Sequence, residues 1–381
     1  MRIALLTDGI HPYVIGGMQR HSYYLAKYLA EAGVDVDLYH TNQSDLDISA
    51  LDVFSDDERK HIHSFVVEFP SFGKSPGHYI RESYEYSRRV WEIFQKQERP
   101  DFVIVKGFAG WELLNQKRIG AALPPVGINF HGYEMFQKQP GLLAAAKSRL
   151  LLRSPVRFNI AHADYLFSYG GKITTLLRRL GIPADKIIEI PTGISEDWLS
   201  AEIRSCSPVR KFVFLGRSER RKGVEELNHA IRKLLKKKSS FEFHFIGPVP
   251  KNKQLSSAVI KYHGTISDNL KIRELLRDMD ILVCPSYAEG MPNVVLEAMA
   301  SGLAIIASDT GATSIMVNEK NGWLIKPGDT RSLYEALETA IAVTNDELDQ
   351  RKKASINSVR ENFLWKDIIG QTIHAIESRV R

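Results

Sequence analysis

Two carboxylates eight positions apart, Glu289 and Glu297, lie in the run Pro285-Ser286-Tyr287-Ala288-Glu289-Gly290-Met291-Pro292-Asn293-Val294-Val295-Leu296-Glu297-Ala298-Met299-Ala300-Ser301-Gly302. The apolar stretch 281–284 before it reads as a strand, and Pro292 fits the first turn of a helix, where its missing N–H costs nothing. Gly290 permits close backbone approach to a ligand, and the N–H groups around Asn293 and Val294 can donate to a phosphate. Glu289, at the turn, can accept from sugar hydroxyls, and Glu297, about a turn into the helix, from a ribose diol. A plainer account also fits: both acids favour the positive end of the helix dipole, worth about 0.3–1 kcal/mol each.

A second cluster lies in Gly216-Arg217-Ser218-Glu219-Arg220-Arg221-Lys222-Gly223, again between an apolar strand and a helix. Arg217, Arg220, Arg221 and Lys222 crowd a helix N-terminus, a place that suits phosphate. A solvated basic loop would have the same composition. Gly9, Gly16 and Gly17 are wrongly spaced for G-x-G-x-x-G and the P-loop pattern is missing, which removes most support for a dinucleotide dehydrogenase or a P-loop enzyme. His131, in Asn129-Phe130-His131-Gly132-Tyr133-Glu134, follows a strand as ligand-facing loops do, although a lone histidine equally serves a purely structural role. No H-E-x-x-H or other ligand spacing occurs, so no metal site is expected.

The elements that position these residues alternate strand and helix. Strands are expected at 2–7, 34–40, 102–106, 126–130, 165–168 and 187–190, with a helix over 18–32 closed by Gly33. A second series begins at 211–215 and continues at 241–246, 259–263, 281–284, 303–307 and 323–325, with helices at 224–237, 268–278, 292–300 and 330–343. Such alternation predicts two parallel sheets. Residues 42–80 read as a loop-rich insertion. The boundary falls in 191–209, where Gly193, Ser195, Ser200, Ser205, Ser207 and Pro208 break periodicity and suggest a hinge. Helices at 348–362 and 365–380 end the chain, the last a candidate to cross back over the linker.

The 381 residues, 44% hydrophobic and 25% charged, exclude wholesale disorder, and their number suits two domains with a cleft between them. A net charge of +6 favours anionic partners without reaching the level of a dedicated nucleic-acid binder. Aromatic and basic interleaving of the single-strand readers is missing, so no nucleic acid is expected as partner. Only Cys206 and Cys284 are present, consistent with a reducing, cytosolic compartment. The apolar stretch 3–6 is too short for a signal-peptide core or a spanning helix. Between Met135 and Ala163 there is no acid, while Lys138, Lys147, Arg149, Arg153 and Arg157 alternate with leucines and alanines. That composition suits peripheral contact of 138–157 with an anionic bilayer, or a helix with a solvated basic face.

On the E-x7-E element from Glu289 to Glu297, with Gly216-Arg217 and Lys222-Gly223 upstream, the chain resembles family 4 of the retaining GT-B glycosyltransferases over nearly its whole length. Gly16-Gly17, His131, the 191–193 linker and Trp365 extend the likeness. The resemblance implies an α/β, GT-B architecture: two Rossmann-like, doubly wound parallel-sheet domains facing across a cleft. An acceptor-side domain would take 1–195 and a donor-binding domain 196–364, with helix 365–381 docking back on the first. It implies a nucleotide-diphosphate sugar as co-substrate, UDP ahead of GDP, no metal or other cofactor, and a glycan or lipid-linked acceptor. Cell-surface polysaccharide or glycolipid synthesis in the cytoplasm, or on the inner face of the membrane, would be the setting.

Within the site, Arg217 and Lys222 would hold the diphosphate and Glu297 the ribose. Glu289 would hold the transferred sugar together with Gly290, Met291, Asn293 and Val294, and backbone near Ile266 the base. Gly16 and Gly17 would approach the diphosphate from the opposite domain, and His131 would hydrogen-bond the sugar. Thr192, Ser195 and Ser314 depart from the family pattern, which usually has Asn and Asp in the linker and Glu after the glycines near Gly311. A nucleotide-sugar epimerase of the same architecture, or a nucleic-acid or polysaccharide binding module, remain the competing functions.

Overall fold

Short apolar runs, each released by glycine or polar residues into a turn, pair as parallel strands. The computed structural model describes residues 1–380 except Lys74, Pro76, Ser207 and the side chain of Lys147. The first sheet contains β1 (Arg2–Leu6), β2 (Asp35–His40), β3 (Ile62–Val66), β4 (Phe102–Lys106), β5 (Val126–Asn129), β6 (Tyr165–Ser168) and β7 (Ile187–Glu189). Their order is β3-β2-β1-β4-β5-β6-β7. The second sheet contains β8 (Arg210–Leu215), β9 (Phe241–Ile246), β10 (Ile260–Gly264), β11 (Ile281–Cys284), β12 (Ala304–Ser308) and β13 (Gly322–Ile325), in the order β10-β9-β8-β11-β12-β13.

In both halves the order reverses direction beside the first strand, between β1 and β4 and again between β8 and β11. Loops leaving the carboxyl ends of strands at such a switch point diverge and open a crevice, the usual ligand site of a doubly wound sheet. The arginine-rich turn follows β8 and the Glu289 loop follows β11, so the topology brings both sequence motifs to the same crevice.

Each sheet is covered on both faces, as the near-continuous apolar strands require. In the first half, Ile3, Leu5 and Ile104 pack under helix Gly17–Glu31, while Leu6, Val103 and Val105 pack on the opposite face. Trp365, Ile368, Ile369 and Ile376 of helix Trp365–Val380 join the first of these layers, so the last helix of the chain lies on the first half. The expected terminal helix ran to 381; Arg381 is outside the described residues. Helix Asn345–Asn362 instead packs Val359 into the second half. The chain therefore crosses between halves twice, and the two crossings are tied together. Ile194 N–H donates to the Phe363 carbonyl at 2.8 Å and Trp365 N–H to the Ile194 carbonyl at 3.1 Å. Ser207, part of the expected hinge, lies outside the described residues.

The insertion expected at 42–80 is more regular than its composition suggests. It contributes β3, which pairs with β2 from Val36↔Ile62 to His40↔Val66, and a capping-box turn at Asp56–Arg59. As an edge strand β3 buries Ile62 but leaves His63 and Ser64 exposed, so it lacks the apolar run that marks its neighbours.

Candidate functional site

Lys222 and Glu289 meet at the mouth of the second sheet. Lys222 Nζ donates to Glu289 Oε1 at 2.5 Å, and the loops that carry them are joined where Tyr287 N–H donates to the Arg221 carbonyl at 2.8 Å. Glu289 is buried, which by itself would push its pKa up; the ammonium of Lys222 and the guanidinium of Arg221, 3.8 Å away, more than offset this and hold it below the usual carboxylate range. The carboxylate is thus kept ionised at neutral pH. Arg221 also reaches Glu134 of the facing half at 3.5 Å. Burial, reinforced by the charge on Glu289 and opposed by Arg221, moves the Glu134 carboxyl upward.

The other two cations of the turn have different work. Arg220 makes a two-pronged pair with Glu226 at 2.7 and 2.8 Å and lies over the Tyr287 ring, which braces the turn. Arg217 pairs with Glu219 at 3.0 Å and is mostly exposed, so the structure brings Lys222 to Glu289 and leaves Arg217 at the rim.

Helix Asn293–Ala300 starts at Pro292 without a side-chain cap; Val295 N–H donates to the Pro292 carbonyl at 3.0 Å, and by helix geometry the two N–H groups before it lack intrahelical acceptors. Asn293 and Val294 provide these two, directly after the Glu289 loop. Met291 is instead buried, its sulfur accepting from the Thr192 N–H at 3.3 Å. Ile266 is half-buried just beyond β10, packed against the second-half core. Gly16 forms the entry to helix Gly17–Glu31 on the opposite side, and Gly17 is exposed.

Gly290 approaches protein rather than open solvent. A Cβ there would sit 1.4 Å from the His131 carbonyl oxygen, and one on Gly311, at φ +56°, would sit 2.2 Å from the Gly290 oxygen. Backbone of the two halves touches here with no room for a side chain. Gln137 of the first half strengthens the contact, donating to the Glu289 carbonyl at 2.7 Å and accepting from Thr310 at 2.5 Å.

His131 is brought beside this contact, with Tyr169 Oη 2.9 Å from its Nδ1. The His21 ring lies edge-on at 4.9 Å, and Lys106 Nζ lies 3.2 Å from His21 Nδ1. Burial, and then the charge on Lys106, push His131 and His21 well below their ordinary pKa, while burial brings Lys106 down to about 7. Both imidazoles are neutral at physiological pH, which suits His131 to hydrogen bonding and not to acting as an acid.

Glu297, buried in its helix, is paired across the crevice with Arg20, which also donates to Asn269 Oδ1 at 3.0 Å. Arg20, Glu134, Gln137, His21 and Lys106 were not singled out from the sequence. Arg20 stands one helical turn after Gly16-Gly17 and Glu134 closes the loop of His131, and those positions were the available signals. Among the described residues no group of three or more His, Cys, Asp or Glu side chains is arranged to hold a metal ion.

Comparison with known proteins agrees with the two-sheet fold. Residues 15–198 match the family model Glycosyltransferase Family 4 and residues 209–342 match Glycosyl transferases group 1, together most of the chain. The amylovoran biosynthesis glycosyltransferase AmsK of Erwinia amylovora is 28% identical over 176 residues, 42% of either chain. The N,N'-diacetylbacillosaminyl-diphospho-undecaprenol alpha-1,3-N-acetylgalactosaminyltransferase of Campylobacter jejuni is 31% identical over 231 residues, covering 58% of this chain and 59% of that protein. The chain spans about a third to two thirds of the length of the curated relatives it matches. The Anabaena Alr3699/HepE structure in complex with UDP and glucose superposes with a TM-score of 0.68 over 99% of each chain at 17% identity, a likeness of fold. Two facing parallel-sheet halves of the GT-B type, both matched by family models, place this chain in the group 1, family 4 glycosyltransferases.

Proposed function

We propose that the chain transfers a glycosyl group from a nucleotide-diphosphate sugar, a UDP-sugar ahead of a GDP-sugar, to a glycan or lipid-linked acceptor, with retention at the anomeric carbon and without a metal. The observation that carries this reading is the buried Lys222–Glu289 pair, backed by Arg221, at the switch point of the second sheet. Cleavage of the anomeric C–O bond builds negative charge on the departing diphosphate, and stabilising that charge is the main catalytic task. Lys222, Arg221 and the N-terminus of helix Asn293–Ala300 supply fixed positive charge there, with Arg217 entering from the rim. That charge does the work a divalent cation does elsewhere.

In this reading the diphosphate takes Lys222 and Glu289 turns to the sugar hydroxyls. Glu297 accepts from the ribose, the base lies near Ile266, and His131 hydrogen-bonds the sugar from the opposite half beside Gly16 and Gly17. Retention follows a same-face route in which the departing phosphate oxygen takes the acceptor hydroxyl's proton. The UDP and glucose of the Alr3699/HepE structure support a UDP-sugar donor. The diphospho-undecaprenol in the name of the Campylobacter relative supports a lipid-linked acceptor, and amylovoran in that of AmsK supports polysaccharide synthesis.

Contact with an anionic bilayer through helix Leu142–His162 belongs to the same proposal, on the cytoplasmic side. Leu142, Leu143 and Leu150 are 91%, 89% and 81% exposed beside Arg149, while no helix is long and apolar enough to cross a membrane. Lys138, Arg153 and Arg157 also serve the protein, donating to Pro327 or lying over Phe136, and the Lys147 side chain lies outside the described residues.

A panel of UDP-, GDP- and ADP-sugars, read by thermal stabilisation and then by turnover, tests the donor. Stabilisation by none of them refutes the reading. Inverted configuration of the product by NMR would refute retention, and loss of turnover in EDTA restored by a divalent cation would refute metal independence.

A further inference from the structure

The Arg20 guanidinium comes from the first half of the molecule and ends on the second. It donates to Glu297 through Nη1 and to Asn269 Oδ1 through Nη2 at 3.0 Å. Its Cζ lies 5.7 Å from the Trp198 ring, which carries Arg273 at 5.8 Å. Glu297, Asn269 and Trp198 thus hold one cation that belongs to helix Gly17–Glu31. Glu297 has little exposed surface, so whatever its carboxylate bonds must share a confined space with this guanidinium.

A guanidinium offers a carboxylate a fixed fork of N–H donors. A ribose diol offers two adjacent O–H donors to the two carboxylate oxygens, and Arg20, bonded through Nη1 to Oε1, is therefore a rival for one of them. We propose that Arg20 is an internal stand-in for the donor ribose: it occupies Glu297 while the site is empty and must leave when a ribose diol engages that carboxylate. This rests on the reading of Glu297 as the ribose acceptor. The apparent dissociation constant of the donor is then the intrinsic one divided by the fraction of molecules in which Arg20 is released. Because release also ends the contacts with Asn269 and Trp198, donor entry loosens a tie between the two halves.

The test is calorimetric titration of the full chain with whichever of UDP, GDP and ADP binds most tightly, and with its 2′,3′-dideoxy analogue. Arg20→Ala should tighten the ribonucleotide about tenfold and leave the dideoxy analogue unchanged, since a ligand without the diol has no cause to displace Arg20. Arg20→Met, which keeps the aliphatic stem over Trp198, should act alike and guards against a folding artefact. In a Glu297→Ala background the Arg20 substitutions should have no effect. If Glu297→Ala weakens the ribonucleotide but Arg20→Ala leaves it unchanged or weakens it, the stand-in role is overturned and the ribose reading survives. If wild type binds the dideoxy analogue as well as the ribonucleotide and Glu297→Ala changes nothing, both are overturned.

Discussion

Replacing Lys222 with methionine separates a catalytic cation from a structural one. The substitution keeps the length of the stem and removes the ammonium that lies 2.5 Å from Glu289. Breaking a buried ion pair by deleting one partner costs about 3–5 kcal/mol when the other is stranded. Here Arg221 remains 3.8 Å away and Lys222 is 18% exposed, so the loss should be lower, about 2 kcal/mol, or roughly 4–8 °C in the melting of the second half.

The pH dependence has a defined sign. Glu289 has a folded pKa below its unfolded value, so its pair contributes stability above the ordinary carboxylate pKa and loses it as pH falls through the folded value. The gap in melting temperature between wild type and Lys222→Met should accordingly be full at pH 7 and shrink toward acid. Turnover with saturating donor should fall about 10²-fold or more, the scale for removing one donor to a developing oxyanion. If the melting gap appears and kcat stays within about threefold of wild type, Lys222 is a structural partner of Glu289 and the charge-stabilising role is refuted.

Gly290→Ala should abolish turnover and lower the melting temperature, because its Cβ would fall 1.4 Å from the His131 carbonyl; a fully active variant would show that the contact between the halves is dispensable. For Lys106, protonated in both states below about pH 7, the unfolded chain holds a proton the folded one lacks between that value and the lysine pKa of 10.5, so stability rises with pH across this window. Lys106→Met should remove that rise and be more stable than wild type at pH 7 by up to a few kcal/mol, the gap narrowing at pH 9.5 in parallel melts; equal slopes would mean that Lys106 stays charged. Leu142→Ser with Leu143→Ser and Arg149→Glu should reduce cosedimentation with phosphatidylglycerol vesicles about tenfold, and undiminished binding would count against this helix as the membrane contact.

Much of the architecture follows from local sequence. The run that becomes β11 is apolar throughout, β6 is apolar up to its last residue and β9 at four of its six positions, all bounded by turn residues, so strand and limits agree with expectation. The E-x7-E spacing needs only a strand, a turn and a Pro-initiated helix to place Glu289 at the crevice and Glu297 inside the helix, and those are local properties. β3 was missed because an edge strand buries one side only and its exposed His63 and Ser64 carry no apolar signal.

Which cation serves which acid was settled by tertiary packing. Arg217, Arg220, Arg221 and Lys222 are nearly equivalent as letters, and only the path of the turn around Tyr287 sends Lys222 to Glu289, Arg220 to Glu226 and Arg217 to the rim. Arg20 and Glu297 are 277 positions apart and Lys106 and His21 85 apart, distances at which no periodicity carries information. Pairing at that range depends on tertiary packing, within the first half for Lys106 and His21 and between the two halves for Arg20 and Glu297. The sequence determined the strands, the loops and the chemistry each loop can offer; packing within each half, and the placing of one half against the other, decided which of those groups meet.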